Sequence, residues 1–324
     1  MSARRGKKGR VTSSAGPRGG RHNISTASGY VDQDVYYVKK WLEDKIHYKD
    51  KSPWGDRLIA GPFVGEFGWE LFGWQGRVRY LSQFFSKTTV ICRKGFSYLY
   101  KDFADECEEY AGSLAGETSG PLLRNFQYQN EISYDKVKDL RILPQTQLVD
   151  YNWRKSSQGG PFKNQSFVKY GEPGAREWDV LFHARATHKA SSEYRNWQLD
   201  SWKSLSSLLS SFRLASVGAA ESSMHVPGTD DLRGISLESL STTMRNSAVT
   251  VGPSSGPIHF AALCGCPQVT WFGAPWGVAN VRRYHDWNPF RVLNVAIYDV
   301  EWNPDPRQVA FEAKSILGLG VRYF

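Results

Sequence analysis

Short apolar runs alternate with amphipathic stretches along most of the chain, and this alternation predicts strands followed by helices. In the first half, residues 57–60 (Arg-Leu-Ile-Ala) are predicted to form a buried strand that leads into a Gly-rich turn, with a helix over 69–85 after it. A second strand is predicted over 88–92 and a second helix around 98–110. Such alternation is typical of a parallel sheet that is covered by helices.

The second half shows the same alternation more clearly. Four buried strands are predicted, at 180–182, 214–217, 248–251 and 269–272. Asp200 and Ser236 are predicted to cap helices whose apolar residues recur at helical spacing. A last helix is predicted to begin at Asp305-Pro306 and to end at Gly318. The pattern predicts a doubly wound α/β domain in this half.

Length and composition divide the chain into four predicted parts. A chain of 324 residues is long enough for two domains, each with its own core. One domain is predicted over 29–175 and the other over 176–304, after a disordered tail over 1–28 and before a helical end over 305–324. The stretch over 112–176 has a weak pattern, and its role stays open.

Positive charge is concentrated in the tail. The net charge is +9, and the first 21 residues hold seven lysines and arginines without an acid. The tail is therefore expected to contact nucleic acid or an anionic membrane surface, since attraction to phosphate needs no particular sequence. No apolar run is long enough to cross a bilayer, and the basic N-terminus lacks the apolar segment of a secretory signal. A cytoplasmic protein without a transmembrane segment is expected, with peripheral attachment to a membrane as an option.

The richest chemical signal is a predicted strand that opens directly into a helix through residues 252–257 (Gly-Pro-Ser-Ser-Gly-Pro). The first backbone N–H groups of such a helix, with the positive end of its dipole, predict an anion site. Gly256 would let the backbone approach a phosphate, the hydroxyls of Ser254 and Ser255 would add donors, and His259 would point to the same place. A diphosphate fits this site, but an ordinary capped helix with a surface histidine explains the residues equally well.

This segment is similar to the Asp-Thr-Gly-Pro-x-His-Leu-Ala-Ala signature of the ADP-heptose:lipopolysaccharide heptosyltransferase family. Other stretches between 178 and 275 resemble family segments in the same order: His183-Ala184-Arg185 to Trp197 and Trp202, Val217 to Glu221, and Gly234 to Leu240. The resemblance implies a GT-B fold, with two Rossmann-like doubly wound parallel-sheet domains that face a cleft. It also implies a glycosyltransferase of hexosyl or heptosyl type, whose nucleotide-sugar is a co-substrate and which uses no cofactor.

The resemblance assigns residues to the donor side. Arg195 takes the position of a lysine that faces the phosphates, and a guanidinium group can hold a diphosphate with two hydrogen bonds. Arg185 lies in the matched strand-end segment on the same side. Glu221 takes the position of the acid that meets the donor ribose, although a solvated acid at a strand end would look the same. Ser254 and Ser255 stand where the family has its Asp-Thr pair, so an aspartate is missing and the donor sugar and base stay open.

The resemblance places the catalytic base in the first half. The family has a Gly-Asp turn there, and Gly65-Glu66 occupies its place. A carboxylate that takes the acceptor's proton during one displacement implies inversion at the anomeric carbon. Glu70 is the rival base, and either acid could instead stabilise the start of a helix. Trp69 is the candidate on the acceptor side, with a core position favoured for its ring.

No metal is expected, and the acceptor is not identified. An Asp-x-Asp pair occurs only at Asp32-Gln33-Asp34, and the four cysteines, taken as reduced core thiols, have no C-x-x-C spacing. The acceptor classes are a glycan, a lipid-linked saccharide or a modified nucleic-acid base. Two alternatives compete with a transferase: a non-catalytic protein that binds anions or nucleic acid on a GT-B scaffold, which the tail favours, and a nucleotide-sugar 2-epimerase.

Overall fold

The computed structural model describes residues 57–60, 63, 66–83, 85–110, 165–188, 193–275, 277, 284–285 and 287–318. The predicted tail over 1–28, the Asp32 to Asp34 pair, Gly65 and most of the stretch over 112–176 lie outside these described residues. In the described part of the chain, no helix is both long enough and apolar enough to cross a membrane. The cysteines at 92, 107, 264 and 266 are free thiols, three of them buried, as predicted.

Two parallel sheets form the framework of the molecule. The first contains β1 (Arg57–Ala60), β2 (Lys87–Arg93) and β3 (Glu106–Tyr110) in that order. The second contains β4 (Trp178–Phe182), β5 (Leu214–Ser216), β6 (Asp230–Asp231), β7 (Ser247–Pro253), β8 (Gln268–Phe272) and β9 (Asn294–Tyr298). Every pairing between these strands is parallel, which confirms the predicted α/β class.

The order of the larger sheet locates its ligand site. Its strands lie side by side as β6-β5-β4-β7-β8-β9. The chain therefore runs outward from β4 to one edge, then returns to the centre at β7 and runs to the other edge. In doubly wound sheets, ligands bind outside the carboxyl ends of the two strands where this reversal occurs. Here these strands are β4 and β7, with Phe182 paired to Val251.

Six α-helices and one π-helix surround the sheets in the described part of the chain. They are α1 (Phe67–Trp69), the π-helix Glu70–Gln75, α2 (Gly76–Ser82), α3 (Leu199–Leu208), α4 (Leu237–Arg245), α5 (Gly256–Cys264) and α6 (Pro306–Gly318). Ser236 caps α4 as predicted, because its Oγ accepts a hydrogen bond from the Ser239 N–H at 3.1 Å. The predicted cap at Asp200 is wrong: Gln198 is the N-cap of α3, and Asp200 lies in the first turn.

The helix predicted around 98–110 is also wrong. A short 3-10 turn, Ser97–Leu99, leads into β3 instead. Local sequence favours a helix here, but β3 adds a third strand to the sheet, with Cys107 opposite Val90. Pairing with a buried neighbour outweighs the weak strand propensity of a Glu-rich segment.

Helix α5 joins the two halves of the molecule. The seven residues from Ile258 to Cys264 are buried, and the helix is accordingly apolar on all sides. It packs on β7 and β8 of its own sheet and on α1 from the first half. The ring centroids of Phe67 in α1 and Phe260 in α5 are 5.7 Å apart.

Gly256 and Gly68 allow this close packing. A Cβ atom built on Gly256 would lie 2.8 Å from Cδ1 and 3.0 Å from Cβ of Phe67, and one on Gly68 would lie 3.2 Å from Cδ2 of His259. Packing against Phe67 thus gives the glycine at 256 a structural reason, and the close approach of a phosphate to its backbone stays a prediction. Phe67 fills the space that the missing side chain leaves.

The segment 165–174 connects the halves through buried polar groups. The Ser166 N–H donates to the Gly76 carbonyl at 2.8 Å, and the Tyr170 N–H donates to the Leu263 carbonyl at 3.0 Å. The Tyr170 hydroxyl accepts from Nη2 of the buried Arg79 at 2.8 Å. These bonds tie the segment to α2 of the first half and to α5 of the second. The domain boundary at 175 stays a prediction.

We predict that Gly256→Val lowers the melting temperature, because the added methyl groups collide with Phe67. Overpacking of this kind costs about 1–3 kcal/mol of stability. Thermal unfolding of the purified variant measures the loss. Gly318→Val is the matched control, since nothing lies within 4 Å of a Cβ built at the end of α6. Phe67→Ala combined with Gly256→Val should recover part of the loss, and a double variant no more stable than the single one would contradict this explanation.

Candidate functional site

A cleft of about 710 Å³ opens at the carboxyl ends of the two sheets. One wall comes from the start of α1 and the residues that follow β2, and the other from the segments after β4, β5 and β7. Nine of the ten predicted site residues line it: Glu66, Trp69, Arg185, Arg195, Glu221, Ser254, Ser255, Gly256 and His259. Residues from both halves of the sequence thus meet in one site.

Glu66 lies at the mouth of the first wall. It is the N-cap of α1, and its backbone carbonyl accepts from the N–H groups of Trp69 and Glu70 at 3.0 and 3.1 Å. Its side chain makes no capping hydrogen bond to the helix. The half-buried carboxylate therefore lines the cleft without the structural role that competes with a catalytic one.

Glu70, the rival base, does not line the cleft. It is fully buried, forms an ion pair with Arg93 and accepts a hydrogen bond from the Tyr100 hydroxyl at 2.6 Å. The Arg93 guanidinium group also lies 4.1 Å from the centroid of the Phe96 ring. Glu70 thus neutralises a buried cation beneath the wall of the cleft.

Two guanidinium groups occupy the second wall. Arg195 donates to the Ser254 carbonyl and lies 4.8 Å above the ring of Trp302. Burial and repulsion from Arg195 together lower the pKa of Arg185 to about 10, and Glu66 opposes this shift. Two cations close enough to perturb each other at a sheet reversal favour an anionic ligand.

The start of α5 lies beside these arginines. Ser255 is its N-cap, and the Ser255 N–H, which the sequence predicts to face a phosphate, donates to the Tyr284 hydroxyl at 3.2 Å. The Ser255 Oγ has no hydrogen-bond partner among the described residues, although it is buried and belongs to the wall of the cleft. A buried hydroxyl without a partner is a candidate donor to a ligand.

Aromatic rings hold His259 at the base of the cleft. The ring is 5% exposed and stacks on Tyr284 with centroids 4.3 Å apart. Trp287 lies 5.2 Å away and contacts Trp69 in turn, with centroids at 4.8 Å. The alternative of a surface histidine is therefore wrong, and the Trp69 ring has the core position that was favoured for it.

The remaining predicted acid, Glu221, is exposed at the rim after β5. Its position suits contact with a ligand and equally suits a solvated acid. Among the described residues, no group of three or more histidine, cysteine or acidic side chains is arranged to hold a metal ion.

Sequence reasoning missed several residues of the cleft. Arg93 ends β2 and Lys94 follows it directly, and a buried strand in a parallel sheet was a signal that could have found them. Trp287 belongs to an irregular segment after β8, for which no local pattern exists.

His183, at the carboxyl end of β4, is buried and lines the cleft. Its Nδ1 lies 3.3 Å from the Val217 carbonyl oxygen. Burial lowers its pKa to about 4, against the hydrogen bond to Val217 and with a further contribution from Arg185. The imidazole is therefore neutral at neutral pH.

We predict that His183 makes the fold sensitive to acid. The His183 imidazole takes up a proton near pH 6.5 in the unfolded chain, but only near pH 4 in the folded chain. The free energy of unfolding should therefore fall as pH drops from about 6.5 to about 4, by on the order of 3 kcal/mol. Denaturant titrations over this range should show a shallower decline in His183→Gln. The exposed His188, changed to Gln, is the control, and an unchanged decline in His183→Gln would contradict the prediction.

No family model matches the sequence, and neither does any curated protein. Among solved structures, the glycosyl transferase family 9 protein from Veillonella parvula DSM 2008 matches with a TM-score of 0.53 and 10% identity over 82% of this chain and 97% of that one. E. coli ADP-heptose lps heptosyltransferase II matches with a TM-score of 0.47 and 12% identity, over 82% and 99%. E. coli heptosyltransferase WaaC with ADP matches with a TM-score of 0.46 and 11% identity, over 80% and 99%. The first of these similarities bears on the fold alone: the chain has the GT-B fold that the sequence predicts.

Proposed function

We propose that the chain is a glycosyltransferase that moves a sugar from a nucleotide-sugar donor to an acceptor hydroxyl. The observation that carries this proposal is one cleft in which the Glu66 carboxylate lies across from Arg185 and Arg195. A base and a pair of cations are the two charged components that the reaction needs. The fold shared with the Veillonella parvula glycosyl transferase supports the same class of chemistry.

The second wall suits the diphosphate of the donor. Arg185 and Arg195 offer planar groups of N–H donors, which match phosphate oxygens in pairs. The Ser255 hydroxyl and the amino-terminal end of α5 lie beside them. When the bond from the sugar to the diphosphate breaks, negative charge develops on the leaving oxygen, and these groups stabilise it.

The first wall suits the acceptor. Glu66 takes the proton of the acceptor hydroxyl while its oxygen forms the bond to the anomeric carbon. The diphosphate leaves from the opposite face of the sugar, so one displacement inverts the anomeric centre. The positive charge for the leaving group comes from two arginines, and the proposed mechanism therefore includes no metal.

Candidate acceptors are a glycan, a lipid-linked saccharide or a modified nucleic-acid base. The basic tail would bring the enzyme to an anionic surface that carries such an acceptor. A 2-epimerase would release the nucleotide with an altered sugar, whereas a transferase joins the sugar to a second molecule. Product analysis by mass spectrometry separates the two reactions, and a non-catalytic binder would give neither product.

We predict that Glu66→Gln lowers the release of nucleoside diphosphate from the donor by ~10²–10⁴-fold, the usual contribution of a general base. Glutamine keeps the size and hydrogen bonding of the side chain, so donor affinity and melting temperature should stay near those of the wild type. A panel of nucleotide-sugars identifies the donor for this assay. Glu177→Gln, which changes an exposed acid outside the cleft, is the control and should keep the turnover of the wild type. Full activity of Glu66→Gln would remove it as the base.

We predict that Arg195→Ala weakens the binding of nucleoside diphosphates by about 10- to 100-fold, since a hydrogen bond to a charged group contributes about 1.5–3 kcal/mol. Arg195→Lys should lose less, because it keeps the charge but not the paired donors. Isothermal titration with ADP, UDP and GDP measures the change. Arg307→Ala, which removes an exposed arginine of α6, is the control. Equal affinities in wild type and Arg195→Ala would exclude Arg195 from the donor site.

A further inference from the structure

We propose that Asn196 is a positioning residue of the donor site, which holds the Arg185 guanidinium group in place with its charge available to the ligand. Asn196 does not itself line the cleft, whereas Arg185, Thr187 and Arg195 do. It therefore acts through its neighbours. The inference rests on the donor site of the proposed function.

The backbone at Arg185 is fixed independently of its side chain. Arg185 forms an isolated antiparallel bridge with Ser223. The Ala186 N–H donates to the Ser222 carbonyl at 2.8 Å, and the Met224 N–H donates to the Ala184 carbonyl at 2.7 Å. These bonds set the Cα position, but a long side chain with several rotatable bonds still needs a partner at its tip.

Asn196 supplies one such partner. Its Oδ1 accepts from Nη1 of Arg185 at 2.6 Å and from the Thr187 N–H at 3.3 Å. Its Nδ2 donates to the Thr187 carbonyl at 2.8 Å. Because the amide bonds to both backbone groups of Thr187, its oxygen has one orientation only, toward Arg185. Asn196 is itself held in a 3-10 turn by its N–H, which donates to the Glu193 carbonyl at 2.8 Å.

The position calls for a neutral acceptor. Arg195 is close enough to lower the pKa of Arg185, so an unheld Arg185 side chain would move away from that charge. A carboxylate at 196 would also hold Arg185, but it would form an ion pair and offset the charge that attracts a phosphate. An amide orders the guanidinium group before the ligand arrives and leaves its charge in place. Such preorganisation raises affinity, because binding no longer orders the side chain.

The test uses the full chain with two probes, inorganic pyrophosphate and the nucleoside diphosphate that binds the wild type most tightly. Asn196→Ala should weaken both by roughly 3- to 10-fold, the usual cost of ordering one long side chain. Asn196→Asp should weaken both as well, because it keeps the acceptor but offsets the charge. If Asn196→Ala does not fold, Asn196→Asp tests the proposal by itself. Wild-type affinity of Asn196→Asp for both probes would overturn the proposal.

Asn246→Ala is the matched control. Asn246 has the same pattern of bonds, with Oδ1 accepting from the Gly174 N–H at 2.7 Å and Nδ2 donating to the Glu172 carbonyl at 3.1 Å. Within the described part of the chain its side chain bonds to no arginine, and it does not line the cleft. Its removal should lower the melting temperature and leave the affinity for pyrophosphate unchanged. A loss of affinity equal to that of Asn196→Ala would show a general effect of stability and overturn the proposal.

A double-mutant cycle separates positioning from a purely structural role. If Asn196 acts through Arg185, Asn196→Ala should have no further effect on affinity in the Arg185→Ala background. If Asn196→Ala weakened affinity by the same factor in both backgrounds, the inference would be overturned, while the donor site would remain intact. Failure of the wild type to bind pyrophosphate and every nucleoside diphosphate would instead overturn the proposed donor site itself, and the inference with it.

Discussion

The close contact between α1 and α5 is the constraint on which the site depends. Phe67 packs against Gly256, and His259 packs against Gly68, so the amino-terminal ends of the two helices meet. The residue before α1 is Glu66, and the residue before α5 is Ser255. Both N-cap residues are thereby brought to one cleft. A larger side chain at either glycine would separate the two walls, and the proposed base would lie farther from the proposed anion site.

The arginines of this molecule fall into two groups according to the acceptors that hold them. Arg79 and Arg93 are buried, and each has a carboxylate partner, Asp102 and Glu70, which offsets its charge. Arg185 and Arg195 line the cleft, as Arg93 does, but the acceptors described for them are a neutral amide and a neutral carbonyl. A neutral acceptor orders a guanidinium group without cancelling its charge. The first group stabilises the fold, and the second is prepared for an anion.

A second contact joins the halves on the other side of the cleft. The Tyr98 hydroxyl accepts from Ser241 Oγ at 2.8 Å and from the Gly171 N–H at 3.0 Å. Tyr98 comes shortly after Phe96, and Ser241 directly follows Leu240, and both of these neighbours line the cleft. Apolar packing at α5 and hydrogen bonds at Tyr98 therefore both contribute to the separation of the walls.

The sequence by itself determined the α/β class, the strands β4, β5, β7 and β8 with the helices that follow them, the Ser236 cap and nine of the residues that meet in the cleft. These features depend on local periodicity, on strand ends in a parallel sheet and on an ordered series of motifs. Only the tertiary structure decided that 106–110 is a strand, that Phe67 explains Gly256, and that Glu66 rather than Glu70 faces the cleft. It also showed Asn196 beside Arg185. The physical reason is that strand pairing, burial and the partner of a charged group depend on residues distant in sequence. A local sequence pattern does not identify those distant residues.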